Sequence, residues 1–325
     1  MADATENRDV LLTGATGFVG HSLYPDLVEA GHLVRCTTRD VHSARQRWPH
    51  RRWVEMDVER EESVHKAMRG CRAAYYLVHR MADTPDYEEQ EARAAMTFLE
   101  AATEAGVERI VYLGGVKPAG KPAHHLRSRL VTGAILRSGE ISTVELRASM
   151  IVGHGSASWQ IVRDLALRLP VMLCPRWLEN RTQPVAIDDA RDALVAALQL
   201  ELEQSAIYPI PGPEVLSFRE CIERVCELVG NRPKMINVPV LTPRLSGYWL
   251  RLVTGANYHV ARALAEGLKD DLVVDNDEYW ELIGQGPRIG FNTAARQALA
   301  GEKKLMNQYE RAIHTLVDRR RSSPR

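Results

Sequence analysis

The stretch HHLRSR at residues 124–129 gathers two histidines and two arginines within two helical turns, groups that can move protons or hold anions. His125 and Arg129 are four apart, so on a helix they share a face and can address one ligand. Histidine exchanges a proton near neutral pH, which makes His125 a competent acid. Arginine keeps its charge and grips ribose or phosphate but cannot serve as a base. A cation at 129 should also depress the pKa of His125. The alternative is that His124 and His125 merely start a wet surface helix. His79, closing the apolar run AAYYLVH, is a third candidate, set against a buried histidine satisfied by backbone. Lys117 is a further possible donor, and Tyr87 reads as a helix-packing residue. Trp159, Trp177, Tyr248 and Trp249 could line an apolar substrate pocket, although such aromatics are more often core.

The strongest pattern is TGATGFVG, in which Thr13, Gly14, Ala15, Thr16, Gly17, Phe18, Val19 and Gly20 follow a short apolar strand and open a helix. Small residues there let the backbone turn sharply and approach a pyrophosphate, whose charge then faces free helical N–H groups. In such a unit the tip of the second strand selects the cofactor: an acid favours NAD, a cation NADP. The tip here is RCTTRD, with no acid at 36–38, a hydroxyl at Thr38 and a forked cation at Arg39. Asp40 is the competing ribose ligand, but it lies past the tip, where it can cap the next helix. NADP(H) is therefore expected over NAD(H). Leu77, Val78, His79 and Gly114 sit at later strand ends, bordering the same crevice.

These residues need a scaffold, and the first half of the chain supplies one by alternating short β-rich runs with helix-period segments. Strands are expected at 9–14, 32–38, 52–58, 73–79, 109–115 and 142–148. Helices are expected at 18–30, 59–70 and 86–105, the last with Met96, Leu99 and Ala102 on one stripe, and another begins near His124. The fold class that follows is α/β, a Rossmann-type doubly wound parallel sheet with a smaller, mostly helical C-terminal substrate-binding part. In that second part a helix is expected at 157–168, a strand at 183–187, a helix at 188–200 capped by Asp188 or Asp189, and a helix capped by Ser217. Residues 241–290 read as helices over a cleft, and a last helix spans about 293–318. The expected division is 8–185 for the dinucleotide domain, 186–318 for the cover and 319–325 for a basic tail, with the first two interleaved.

Composition narrows the partners. The formal net charge of 325 residues is zero, which argues against nucleic acid or an anionic membrane as partner. The basic end DRRRSSPR has no interleaved aromatics and reads as a solvated terminus. Five cysteines form no CxxC pair and no metal-ligand spacing; Cys221 and Cys226 fall on different sides of one helix. No apolar run reaches the roughly 18 residues of a membrane span, and the first residues lack a signal-peptide core. A cytoplasmic protein taking a small-molecule substrate is expected, with a homodimer left open and no metal.

The Gly-x-x-Gly-x-x-Gly spacing resembles that of the extended and atypical short-chain dehydrogenase/reductase superfamily. So do YYLVH, DYEEQEARAAMTFLEAATEAGVERIVYLGGV, LRSRLVTGAILR and QPVAIDDARDALVAAL; together they look like its NmrA-like NAD(P)H-binding group over roughly residues 8–290. The resemblance implies that Asp57 and Val58 hold the adenine and that Ser149 borders the nicotinamide carboxamide. It also implies a serine after the fifth strand and a Tyr-x-x-x-Lys on the next helix. Here glycines stand at 114 and 115, His125 falls at the tyrosine position and Arg129 at the lysine position. The implied activity is NADPH-dependent reduction of an activated carbonyl or conjugated double bond, with His125, Arg129 and His79 as catalytic candidates. The alternatives are a cofactor-binding sensor or structural protein without turnover and, more weakly, a sugar-nucleotide epimerase-like enzyme.

Overall fold

The computed structural model describes residues 9–79, 86–238, 267 and 270–302. The strands are β1 (Asp9–Leu12), β2 (Val34–Thr38), β3 (Arg52–Glu55), β4 (Cys71–Tyr76), β5 (Arg109–Gly115), β6 (Ser142–Ala148), β7 (Ile151–Val152), β8 (Val171–Pro175), β9 (Arg181–Thr182), β10 (Val185–Ala186), β11 (Ala206–Pro209), β12 (Leu216–Ser217) and β13 (Lys234–Val238). The helices of at least seven residues that begin and end among the described residues are α1 (Phe18–Glu29), α2 (Val41–Arg47), α3 (Glu61–Met68), α4 (Tyr87–Glu104), α5 (His124–Leu136), α6 (Ala157–Arg168), α7 (Ile187–Ala196) and α8 (Phe218–Val229). Seven strands build one sheet in the order β11-β6-β5-β4-β1-β2-β3, each neighbouring pair parallel. The order reverses between β1 and β4, which leaves a crevice at their carboxyl ends.

Alternation along the strands assigns the two faces. Val10 and Leu12 pack with Leu23 and Leu27 of α1 and with Ala193 and Leu194 of α7. Leu11 turns the other way, toward Met68 of α3 and Phe98 of α4. A buried sheet needs apolar side chains on both faces, so its strands read as continuous apolar runs. A separate apolar cluster joins α6, α8 and the helix that begins at 291. The chain crosses between these bodies more than once: α6 belongs to the second cluster, and α7 and β11 return to the sheet.

Several expected boundaries shift. β1 ends at Leu12, β2 starts at Val34, and β3 stops at Glu55, because Asp57 turns the chain with its carbonyl held by Ser63 Oγ at 2.9 Å. β4 runs from Cys71 to Tyr76 and not over 73–79; Leu77 leaves the ladder to give its N–H to Thr13 Oγ1 at 2.9 Å. The buried stripe of α4 is Glu91, Ala94, Ala95, Phe98, Ala101 and Ala102, and Met96 is exposed. The strand expected at 183–187 is only Val185–Ala186, and α7 starts at Ile187 without a side-chain cap. Asp188 and Asp189 occupy its first turn, where Asp189 accepts the Ile289 N–H at 2.8 Å. Ser217 does cap α8, in a reciprocal box with Glu220. Cys221 and Cys226 flank one wide buried stripe, and all five cysteines are free and buried. Three small strand pairs, β7/β10, β8/β13 and β9/β12, form between residues 151 and 238 in addition to the large sheet. Tyr248, Trp249 and the tail lie outside the described residues. No described helix is long and apolar enough to cross a membrane.

Two charged groups are buried where they lock the sheet. Asp9, at the amino end of β1, accepts from Arg35 Nε at 2.9 Å and Arg52 Nη1 at 2.6 Å, tying β1, β2 and β3. Glu145 of β6 is fully buried and accepts from Arg137 Nε and Arg147 Nε, both at 2.7 Å. A methyl group at Gly133 would lie 2.4 Å from the Glu145 carboxylate, so only glycine lets α5 come this close. Glu145→Gln should cost about 3 kcal/mol, because it strips the arginines of their buried counter-charge; urea unfolding of the variant beside the native protein measures the loss.

Candidate functional site

The turn after β1 is built for close backbone approach. Gly14 has φ of +62°, and a Cβ there would sit 2.6 Å from the Leu77 carbonyl oxygen. A Cβ on Gly20 would sit 2.4 Å from the Gly14 carbonyl oxygen. Gly17 is the N-cap of α1, with no side-chain cap and no acid in the first turn, so the helix end is open to an anion. Thr13 is fully buried and its hydroxyl bonds the Tyr75 carbonyl at 2.8 Å, which fixes the loop and leaves no group for a ligand. Ala15 is buried too, and its carbonyl accepts from Arg51 at 3.3 Å. Phe18 packs its ring against the Gly153 and Gly155 turn, and Val19 packs into the first apolar cluster.

A cleft of about 340 Å³ opens in front of this turn. Gly14 and Thr16 form its floor, Thr38 and Arg39 one wall, Asp57 and Val58 another, with Val78 and His79 toward β4. Leu77 contributes only the carbonyl behind Gly14. Asp40 also lines the cleft, but its carboxylate caps α2, accepting from Ser43 N at 2.9 Å and Ser43 Oγ at 2.6 Å. Those bonds hold its pKa below the usual carboxylate range. Arg39 is exposed and makes no ion pair among the described residues. These dimensions and donors fit a dinucleotide, with the pyrophosphate at the α1 end and a ribose at the β2 tip.

A second, smaller chamber of about 80 Å³ lies beyond the ends of β5 and β6. His125, Arg129 and Ser149 line it, and Phe218, Gly267 and Leu272 close it from the C-terminal side. The Ser149 hydroxyl is engaged, donating to the Gln183 carbonyl at 2.9 Å. Gly114 reaches neither cavity; a Cβ there would meet Glu145 at 3.0 Å and Tyr112 at 3.2 Å. Gly115 lies under Leu126, where a Cβ would come within 2.5 Å. Lys117 is exposed and lines neither described cavity.

The HHLRSR stretch divides by face. His124 and Arg127 point to α4 and clamp Glu88, at 2.9 Å and 2.6 Å. Burial raises the Glu88 pKa, but Arg127 and His124 outweigh it and hold it below the usual range. His125 and Arg129 turn inward. Burial, then Arg129 and His79, lower His125 to about 4. Burial, with Arg129 adding, pushes His79 well below the ordinary imidazole value. Both rings are therefore neutral near pH 7; for His125 the direction is the one expected from Arg129, with burial as the larger cause. Among the described residues His79 is met by side chains: its Nδ1 lies 3.3 Å from a Glu91 carboxylate oxygen, and the Tyr87 hydroxyl is 3.4 Å from either ring nitrogen.

Tyr87 and Glu91 thus join a site that sequence patterns did not assign them to. Glu91 left a trace, as an acid on the apolar stripe of an amphipathic helix. Trp159 is fully buried in the second cluster and Trp177 packs against it, so neither lines the chamber. Among the described residues, no group of three His, Cys, Asp or Glu could hold a metal ion.

Comparison with known proteins agrees with this layout. A family model described as NAD(P)H-binding matches residues 14–168. A 3-diazoavenalumate denitrifying reductase of Streptomyces sp is 26% identical over 74% of this chain and 88% of its own. A maize (Zea mays) dihydroflavonol 4-reductase is 33% identical, but over only 34% of this chain and 35% of its own. Among solved structures, the Citrobacter sp. triphenylmethane reductase complexed with NADP(H) superposes with a TM-score of 0.70 at 18% identity, covering 89% of this chain and 99% of that one. A nucleoside-diphosphate-sugar epimerase of Staphylococcus aureus gives 0.71 at 16% identity, covering 89% and 99%.

Two measurements check the geometry. Gly20→Ala should weaken NADP⁺ binding at least about tenfold in calorimetric titration, because its methyl displaces the Gly14 carbonyl. His125 binds its proton more weakly folded than unfolded, so its contribution is complete above pH 6.5 and fades as the pH falls toward 4. Between those limits it should cost up to about 3 kcal/mol, and His125→Gln should flatten the stability profile by that amount in acid-range denaturation curves. The glycine cradle, the strand order and the match over residues 14–168 give the chain an NAD(P)H-binding Rossmann-type domain whose fold is similar to that of short-chain dehydrogenase/reductase and sugar-nucleotide epimerase structures.

Proposed function

We propose that the protein is an NADP(H)-dependent reductase of a small organic substrate bearing an activated carbonyl or conjugated double bond, working without a Ser and Tyr-x-x-x-Lys set. The observation that carries this is a dinucleotide cleft lined by His79 and a chamber lined by His125 and Arg129, with Arg129 lowering the pKa of both histidines and His79 lowering that of His125. A bound nicotinamide would supply the hydride. The chain's own residues then hold the substrate, exclude water and pass one proton to the product. A neutral His125 or His79 can give up its remaining N–H proton if the product anion is strongly basic, as after reduction of an activated acceptor. Cytoplasmic location and the division into a dinucleotide domain and a substrate cover belong to the same proposal. Five free, buried thiols and the apolar closure by Phe218 and Leu272 support them.

NADP(H) is proposed over NAD(H) because Arg39 is unpaired at the cleft while Asp40 is committed to capping. The NADP(H) complex of the triphenylmethane reductase supports the same choice, although another fold neighbour, MoeE5, binds UDP-glucose and NAD. A second possibility, a cofactor-binding sensor without turnover, is favoured by the neutrality of both histidines at pH 7. Epimerisation is weaker, since in its usual form it needs a tyrosine where His125 stands.

Arg39→Glu should reduce NADPH affinity about a hundredfold and leave NADH affinity nearly unchanged; equal losses for both cofactors would refute the NADP assignment. Loading the protein with NADPH and following its absorbance against quinones, enals and ketones separates reductase from sensor, since tight binding with no oxidation by any acceptor selects the sensor.

A further inference from the structure

Arg129 lines the small chamber, and among the described residues no counter-charge pairs with it. It makes no ion pair and no side-chain hydrogen bond among the described residues, and its Nε is buried and unpartnered. The Nδ1 atom of His125, on the same helix face, is also buried and unpartnered. Arg137 and Arg147, by contrast, share Glu145, and Arg163 is met by Asp164 and Glu302; Arg109 also buries Nε and Nη1 without a partner, but its Nη2 donates to the Leu200 carbonyl at 2.7 Å. A buried guanidinium Nε and an adjacent buried ring nitrogen, both without partners, are unfavourable unless a ligand acceptor or donor completes them, and the positive charge favours an anion. The acids near this helix are spoken for, since Glu88 is clamped by His124 and Arg127 and Glu91 faces His79.

The rest of the chamber limits what that acceptor can be attached to. Val116, Leu126, Phe218 and Leu272 offer apolar walls, and about 80 Å³ holds only a few non-hydrogen atoms. A nucleotide or a sugar phosphate is too large and too polar for it. The carboxylate geometry matches a guanidinium fork, and the carbons next to it would lie against the apolar walls near the ends of β5 and β6.

We propose that the chamber receives the carboxylate of a short-chain organic acid whose reducible carbonyl or double bond is directly attached to that carboxylate. This rests on the reductase assignment for its chemistry but not for its binding. Arg129 neutralises the carboxylate, which removes the charge that otherwise makes an enoate or oxoacid a poor hydride acceptor. Hydride adds to the carbonyl carbon or to the alkene carbon remote from the carboxylate. The electron pair moves to oxygen or to the neighbouring carbon, and one proton completes the alcohol or the saturated acid.

The test uses the NADP⁺-saturated protein and calorimetric titration with crotonate, pyruvate and their uncharged methyl esters. At least one acid should bind about tenfold or more tightly than its ester, and crotonate against pyruvate separates enoate from oxoacid. Arg129→Gln should erase that preference while NADP⁺ affinity changes less than about threefold. Gly267→Ala, whose methyl would lie 2.6 Å from the His125 ring, should weaken acid binding and spare NADP⁺. Equal binding of acids and esters overturns the proposal. So does an Arg129→Gln variant that loses NADP⁺ and keeps the acid preference, because Arg129 then serves the cofactor. If the acid preference is present but NADPH is never oxidised, the chamber is right and the reductase assignment is what falls.

Discussion

The buried carboxylate of Glu145 governs where the chemistry of this protein can stand. It is held between Arg137 at the end of α5 and Arg147 on β6, so it joins a helix to a strand by charge where apolar packing alone would allow sliding. Gly133 makes the approach possible, and its cost elsewhere is visible: Gly114 has no room for a side chain beside the same carboxylate. With α5 pinned at its carboxyl end, the helix can present only one face to the strand ends. That face carries His125 and Arg129. Tyr112 adds a second restraint by donating its hydroxyl to the Arg129 carbonyl at 2.9 Å.

The other half of the centre is fixed by backbone contacts and not by charge. Gly14 and Gly20 touch carbonyl oxygens so closely that the first turn of α1, β1 and the segment after β4 behave as one rigid corner. Thr13 bridges that corner from within, donating to Tyr75 and accepting from Leu77. His79 lies two residues beyond this bridge. Its position is therefore set by the cofactor cradle, whereas that of His125 is set by the Glu145 lock. His79 acts on His125 electrostatically, and both devices rest on the same sheet.

The sheet and the phosphate turn were legible in the sequence because each depends on local signals: apolar runs, helix periods and glycines at fixed spacing. Strand ends were overestimated where the chain continues apolar after leaving the ladder, as at Leu77 and Val78. The inward face of HHLRSR was also legible, since helical spacing joins His125 to Arg129. What spacing could not convey is solvent exclusion. Of two adjacent histidines, His124 is exposed against Glu88, whereas His125 is enclosed by Gly267 and Arg129, and that enclosure lowers its pKa to about 4. The Glu91–His79–Tyr87 contact was hidden for another reason, since it joins residues on either side of the β4–α4 connection and no periodicity links them.

The last strand to enter the large sheet, β11, comes from far along the chain and pairs with β6 across more than fifty intervening residues. During synthesis the nucleotide-binding half must therefore wait, with β6 an open edge, until α6, β8 and α7 have already emerged. Early chains expose a long parallel edge of the kind that recruits other chains. The sheet therefore closes only after α6 and α7 have been made, so its completion in time follows the start of the second apolar cluster.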